Sequence, residues 1–132
     1  MKRRHHTERL NGSGIGLGSC GNIFVNVTGK AVGPYPGTFT GQGDAHGCMA
    51  QGSSSGSFTI TSGSNTISGT FDGDIKYSGC DARGGGHECW AGGPLTYAAT
   101  VEPGGKTLSG KGNGRIEAGS DGGEMGLALN HM

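Results

Sequence analysis

The chain has 132 residues, of which 31 are glycine, and its 10 basic and 10 acidic side chains give a formal net charge of zero at pH 7. The length fits a single domain, and no stretch approaches the ~20 apolar residues of a membrane-spanning helix. Domains that bind nucleic acid carry a basic folded surface. Composition and charge therefore argue against a nucleic-acid partner and against membrane insertion.

The first 18 residues are polar, basic and rich in glycine. Residues 1–9 contain four basic side chains and one acidic one, which leaves residues 10–132 mildly acidic. A short charged terminus is typical of a solvated arm, so we expect a flexible arm at 1–18 and a single β domain at 19–132. No apolar run follows Arg4, as it would in a signal peptide. We therefore expect either that a leader has been removed from this chain or that export uses another route, such as cell lysis by a phage.

The rest of the chain alternates between apolar and polar residues with a period of two, the pattern of antiparallel strands with one solvated face. In 66–77, for example, Ile67, Phe71 and Ile75 share one side. No segment carries a helical stripe. We predict an all-β antiparallel sandwich or barrel of about seven strands, at residues 22–31, 37–43, 56–62, 65–77, 94–102, 106–117 and 124–129.

Glycine and proline mark the turns and some inward positions of these strands. Turn sequences occupy 33–37, 62–65 and 102–106, where glycine allows left-handed backbone and proline fixes φ. The last two are expected to close hairpins. Inward glycines, such as Gly69 and Gly73, leave room for an aromatic ring of a facing strand.

Four cysteines offer the stabilisation that a core with few large apolar residues lacks. An even count in a small chain predicts two disulfides and an extracellular or virion setting. The loop between Cys80 and Cys89 contains three consecutive glycines and can close tightly, so we expect these two to pair. That would leave Cys20 with Cys48, although three connectivities are formally open. Each bridge would contribute about 3 kcal/mol in the chain-entropy model.

A zinc site is the alternative use of the same residues. His46 and Cys48 are two positions apart, as are His87 and Cys89, so on a strand each pair would face one side. Together they would make a tetrahedral Cys2His2 set. This set would leave Cys20 and Cys80 unused, so the disulfide interpretation is preferred, and no cofactor or metal is expected.

A binding surface is predicted on the loop at residues 80–92, with Tyr35 as a further candidate. The loop gathers polar groups beside the only tryptophan, and its candidates are Asp81, Arg83, His87, Glu88 and Trp90. The competing interpretation is that Trp90 closes the end of the core. Likewise Tyr35, between two prolines, would cover an edge of the core.

No catalytic residues are expected. The serine clusters lack the strained turn of a nucleophile, and Asp72 and Asp74 fall on the solvated side of their strand. A hydrolase would need His46 or His87 beside a carboxylate, and we regard this as the least favoured alternative.

The stretch GPYPGTFT at residues 33–40 resembles a group of uncharacterised secreted β-proteins of Gram-positive bacteria. The similarity extends through SFTITSGSNTISGT at 57–70 and LTYAATVEPGGKTLSGKGNGRI at 95–116. The chain departs from this group in its missing leader and in its HGC and HECW elements. The resemblance implies a secreted β fold and no particular reaction.

These observations predict a non-enzymatic module of an extracellular or particle surface that acts by adhesion, ligand binding or assembly, including virion decoration or a fibre. Its partner would be a protein, a cell surface or a particle, or a second copy of the chain. Flat faces rich in Thr, Ser and Gly suggest that neighbouring copies pack edge to edge.

Overall fold

A computed structural model of the protein describes residues 7–14, 16–19, 22–46, 51–81, 88–119 and 122–132. Side chains are described for residues 7–14, 26–44, 53–74, 92–115 and 124–132. Within these ranges the structure contains strands and turns and no helix. The strands are β1 Glu8–Gly14, β2 Gly16–Ser19, β3 Asn22–Val32, β4 Gly37–His46, β5 Gln51–Ser62, β6 Asn65–Asp81, β7 Glu88–Glu102, β8 Lys106–Gly119 and β9 Gly122–Leu129.

The strands form one antiparallel sheet that closes on itself. Each strand from β3 to β8 pairs with the strand that follows it in the chain. β9 then pairs with β1, and β1 pairs with β3. β2 continues the line of β1 along β3, so the ring contains eight strands. Of the two architectures that the sequence left open, the structure is the barrel, with an up-and-down order. Closure pairs both sides of β1, so edge-to-edge packing has no free edge to use there.

The seven predicted strands are all present, and the prediction misses the first part of the barrel. Glu8–Gly14 and Gly16–Ser19 form β1 and β2, so the expectation of a flexible arm up to residue 18 is wrong for these two segments. The inward positions of β1 are Glu8, Leu10 and Gly12, of which only Leu10 is a large apolar residue. An alternation with so few apolar members is too weak to indicate a strand.

The interior is filled by side chains from alternate positions of the strands. The most buried large ones, each at most 2% exposed, include Phe39, Phe58, Ile60 and Met125. Tyr35 and Leu108 pack against this core from its margin. The remaining buried hydrophobic residues are Leu10, Val27, Ala31, Ile67, Phe71, Leu95, Tyr97, Ala99, Val101, Leu127, Leu129 and Met132.

Two reciprocal pairs of phenylalanine and glycine join β5 to β6. Phe58 lies opposite Gly69, and Gly56 lies opposite Phe71. A Cβ atom on Gly69 would lie 2.7 Å from Cζ of Phe58, and one on Gly56 would lie 2.6 Å from Cζ of Phe71. Each ring therefore fills the space that the opposite glycine leaves. The predicted approach of an aromatic ring is confirmed at Gly69, whereas a Cβ atom on Gly73 would meet Leu95 and the backbone oxygen of Pro94 instead.

The barrel has two different ends. The turn end holds the three short turns that the sequence predicts, at residues 33–36, 63–64 and 103–105. Gly63 and Gly105 adopt left-handed backbone there, with φ of 61° and 72°, as tight turns require. At the other end, β4 ends at His46, β6 ends at Asp81 and β7 begins at Glu88. We call it the cysteine end, because Cys80 and Cys89 lie on the ends of β6 and β7 there.

Candidate functional site

The backbone pairing places Cys80 of β6 directly opposite Cys89 of β7. Opposite residues of antiparallel strands have Cα atoms about 4.5–5.5 Å apart, and a disulfide spans Cα atoms about 4.4–6.8 Å apart. The register shifts between Tyr77 and Gly79, which is a β-bulge, and the Cys80–Cys89 pair follows it. The two cysteines therefore stand at bridging distance. Their side chains are outside the described residues, so the bond itself stays a prediction.

Most of the other predicted site residues belong to the same end. Asp81 lies opposite Glu88, and Trp90 of β7 lies opposite Glu117 of β8. His46, the last residue of β4, pairs with Ser53. The side chains at these strand positions lie outside the described residues, as do the whole residues Cys20, Cys48, Arg83 and His87.

Tyr35 is separated from these candidates because it lies at the turn end. Its side chain is half-buried and packs against the core, which is the core-edge alternative that the sequence allowed. Its backbone N–H donates a hydrogen bond of 2.8 Å to Oε1 of Glu8. Tyr35 therefore helps to close the turn end, and the structure does not bring it together with the loop candidates.

Glu8 is a feature of the turn end that the sequence did not reveal. Its side chain is completely buried, and among the described residues its Oε2 atom has no hydrogen-bond partner. Burial raises the pKa of this carboxyl, and the hydrogen bond from the Tyr35 N–H opposes the rise. In the sequence, Glu8 is a single glutamate beside a basic terminus, and no pattern around it indicates burial. Its burial could therefore not be predicted from the sequence.

A second set of hydrogen bonds ties the end of β9 to the turn end. The Tyr97 hydroxyl donates to the backbone oxygen of Asn130 at 2.6 Å, and the Thr7 hydroxyl donates to Oδ1 of Asn130 at 3.2 Å. Burial raises the pKa of Tyr97. Because Thr7 precedes β1 and Asn130 follows β9, these contacts fasten the seam that closes the barrel.

Rows of hydroxyl groups cover much of the outer face. One row crosses six strands through register partners from β3 to β8. Its members are mostly exposed, and the rows above and below it are also polar. This outer face is chemically suited to hydrogen bonding over a broad area. The row consists of Thr28, Thr40, Thr59, Ser68, Thr100 and Thr107.

Carboxylates gather on one side of the barrel, near the cysteine end. Asp72 and Asp74 of β6 are exposed, as predicted, and Asp44 of β4 is half-buried. Between them runs β5, whose Ser55 hydroxyl donates to Oδ1 of Asp44 at 3.2 Å. We call Asp44, Asp72, Asp74 and the β5 serines between them the acidic face.

A groove of about 650 Å³ crosses the outer surface of β8, β9, β1 and β3. Its floor contains Gly126 and Ala128 of β9, and its margins carry cations from three different strands, namely Arg9, Lys30 and Arg115. All three cationic side chains are exposed. We call this feature the basic groove. Sequence reasoning did not find it, because its members are scattered along the chain and the closing of the barrel brings them together.

The comparisons with known proteins give no relative: no protein-family model, curated protein or solved structure matches the chain. Over the described ranges, no cluster of three or more His, Cys, Asp or Glu side chains is arranged to hold a metal ion. Within the same ranges, no helix has the length and apolar character to cross a membrane.

Proposed function

We propose that the protein is a non-enzymatic structural or binding module of an extracellular or particle surface, and that it acts through the outer face of its barrel. The filled interior supports this proposal most directly. An eight-stranded barrel either fills its lumen with side chains or encloses one small ligand. In the described part, residues such as Phe39, Phe58 and Ile67 occupy the lumen with at most 2% exposure. Partners would therefore contact the polar outer face or the end loops.

The cysteine register supports the oxidising location. A cross-strand pair such as Cys80 and Cys89 can form a bridge without backbone movement, because the pairing already sets the distance. Small domains outside the reducing cytosol commonly use such bridges where the core is thin. Here glycine fills many inward positions, so two bridges would supply rigidity at the end opposite the short turns.

Intact mass spectrometry of the protein from its natural source tests this proposal. Two disulfides predict no thiol alkylation before reduction and a gain of roughly 4 Da on reduction, with a peptide that links Cys80 to Cys89. Four free thiols in the native protein would contradict both the disulfides and the location.

The zinc site and the disulfide both require Cys89, so measurements on the same sample distinguish these two interpretations. His46 and Cys89 stand on strands that meet at the cysteine end, whereas the register gives Cys89 a closer partner in Cys80. Elemental analysis that finds one zinc per chain, with unfolding by a chelator, would replace the proposed module with a small metalloprotein.

A further inference from the structure

The basic groove owes its depth to missing side chains on β9. Across the middle of the groove, Arg115 of β8 pairs with Gly126, Gly126 pairs with Asn11 of β1, and Asn11 pairs with Lys30 of β3. A Cβ atom on Gly126 would meet only the Asn11 side chain, at 3.1 Å, and a backbone oxygen at 3.8 Å. The strand therefore forms a floor between two lines of longer side chains.

The charges of the groove are the reverse of those on the acidic face. Among the described residues that line it, the groove carries three cations and one carboxylate, Glu124. The acidic face carries three carboxylates, and Lys111 lines the same surface depression as Asp72 and Asp74. All of these side chains except the half-buried Asp44 are exposed. Among the described residues, the groove is therefore mostly positive and the acidic face is mostly negative. Each surface also has a single charge of the opposite sign.

The two surfaces lie on opposite sides of the barrel. β9, the floor of the groove, and β5, the centre of the acidic face, are four strands apart in either direction around the ring. The acidic face is also low at its centre, because β5 presents Ser53, Ser55 and Ser57 there. Its carboxylates on β4 and β6 stand on either side of these serines.

We propose that the acidic face of one copy docks against the basic groove of the next, so that copies of this chain associate head to tail. The proposal rests on the proposed module function and names its partner. Charge complementarity selects the pairing, with Glu124 of one copy facing the surface that carries Lys111 of the other. Because the two surfaces are different and opposite, the contact is heterologous and leads to an open row of molecules rather than a closed dimer.

The strength of the contact should depend on ionic strength. Exposed ion pairs are individually weak, so association is expected at high protein concentration and low salt. The screening length falls from about 20 Å near 20 mM salt to about 4 Å near 500 mM. Higher salt should therefore return the protein to monomers.

Sedimentation velocity of the full chain and of two charge-reversal variants, each alone and both mixed, provides the test. The Arg9→Glu/Lys30→Glu variant reverses the groove, and the Asp72→Lys/Asp74→Lys variant reverses the acidic face. At about 20 mM salt the wild type should form a concentration-dependent series of species larger than a monomer. Each variant alone should lose that series, whereas an equal mixture of the two should recover association in alternating order. Circular dichroism should show that both variants keep the barrel.

Lys106→Glu is the matched control, because Lys106 is exposed on β8 at the turn end, outside both surfaces. It should associate as the wild type does. A wild type that stays monomeric at low salt, a closed dimer, or variants that associate normally would overturn the proposal. So would binding of a sulfated polysaccharide to the groove without self-association. The disulfide mass measurement on the same sample reports separately on the proposed function.

Discussion

The Glu8 carboxyl lies without solvent exposure at the point where β1 enters the barrel. Its raised pKa means that the folded protein holds the proton more tightly than the unfolded chain, in which the usual value is 4.5. This contribution to stability is complete below the unfolded pKa and is lost as the pH rises through the folded pKa. The free energy of unfolding should therefore fall as solutions become less acidic.

Replacing Glu8 with glutamine should remove this dependence. The Gln side chain keeps an oxygen for the Tyr35 N–H and has no charge to bury, so the variant should be more stable than the wild type by about 1 kcal/mol at pH 8. At pH 4 the advantage should disappear. Urea unfolding at a series of pH values measures the effect. Glu124→Gln, at an exposed carboxyl, is the control and should leave the pH profile unchanged; equal slopes for wild type and Glu8→Gln would contradict the prediction.

Substitutions at Leu10 and Arg9 test whether this segment is a strand of the barrel or a flexible arm. Leu10 is completely buried and Arg9, its neighbour, is exposed. Leu10→Ala should cost about 2–4 kcal/mol because it opens a cavity in the core, whereas Arg9→Ala should change stability little. Chemical denaturation of both variants checks this. Two neutral substitutions would mean that this segment does not belong to the barrel.

Strand β1 shows how one element decides the architecture. It pairs with β9 on one side and with β3 on the other, so without it the sheet would stay open. The sequence indicated the other strands because their turns contain Gly and Pro and their inward positions are apolar. At the cysteine end, by contrast, β5 and β7 begin five and six residues before their predicted starts, because residues 51–55 and 88–93 show no regular alternation of apolar and polar residues.

The hairpin of β5 and β6 depends on its reciprocal ring and glycine pairs. Gly69→Ala would place a Cβ atom 2.7 Å from Phe58 and 2.5 Å from a backbone oxygen, so we expect a loss of about 1–3 kcal/mol. Gly126→Ala on the outer face meets only a flexible side chain at close range and should be neutral or slightly stabilising. Thermal unfolding of the two variants should separate them. A Gly69→Ala protein as stable as the wild type would show that Phe58 does not need the space.

The hairpin of β6 and β7 carries the proposed Cys80–Cys89 bridge. A Cys80→Ser/Cys89→Ser variant should lose about 2–3 kcal/mol, the chain-entropy value for a loop of this length. The comparison is made with and without a reducing agent. Reduction should destabilise the wild type further than the variant, which has one bridge fewer to lose. Equal sensitivity of the two proteins to reduction would contradict a Cys80–Cys89 bridge in this hairpin.

At the scale of the molecule, the sequence predicts the individual strands better than it predicts their closure into a barrel. Alternation and turn chemistry are local, and they correctly place Ile67 and Phe71 on the same side of their strand, which is the buried side. Barrels and sandwiches share this alternation, so the choice between them depends on long-range pairing of β1 with β9. The basic groove follows from that same pairing, which joins Arg9 to residues more than a hundred positions away along the chain.

The seam between β1 and β9 also determines how this protein could misassemble. A ring of strands has no edge to offer a passing chain, but opening it at one place exposes two edges at once. Each edge would present unpaired N–H and C=O groups with which another chain could pair. The Thr7–Asn130 and Tyr97–Asn130 contacts therefore protect against aggregation as well as stabilising the fold, and weakening them should promote association through these edges.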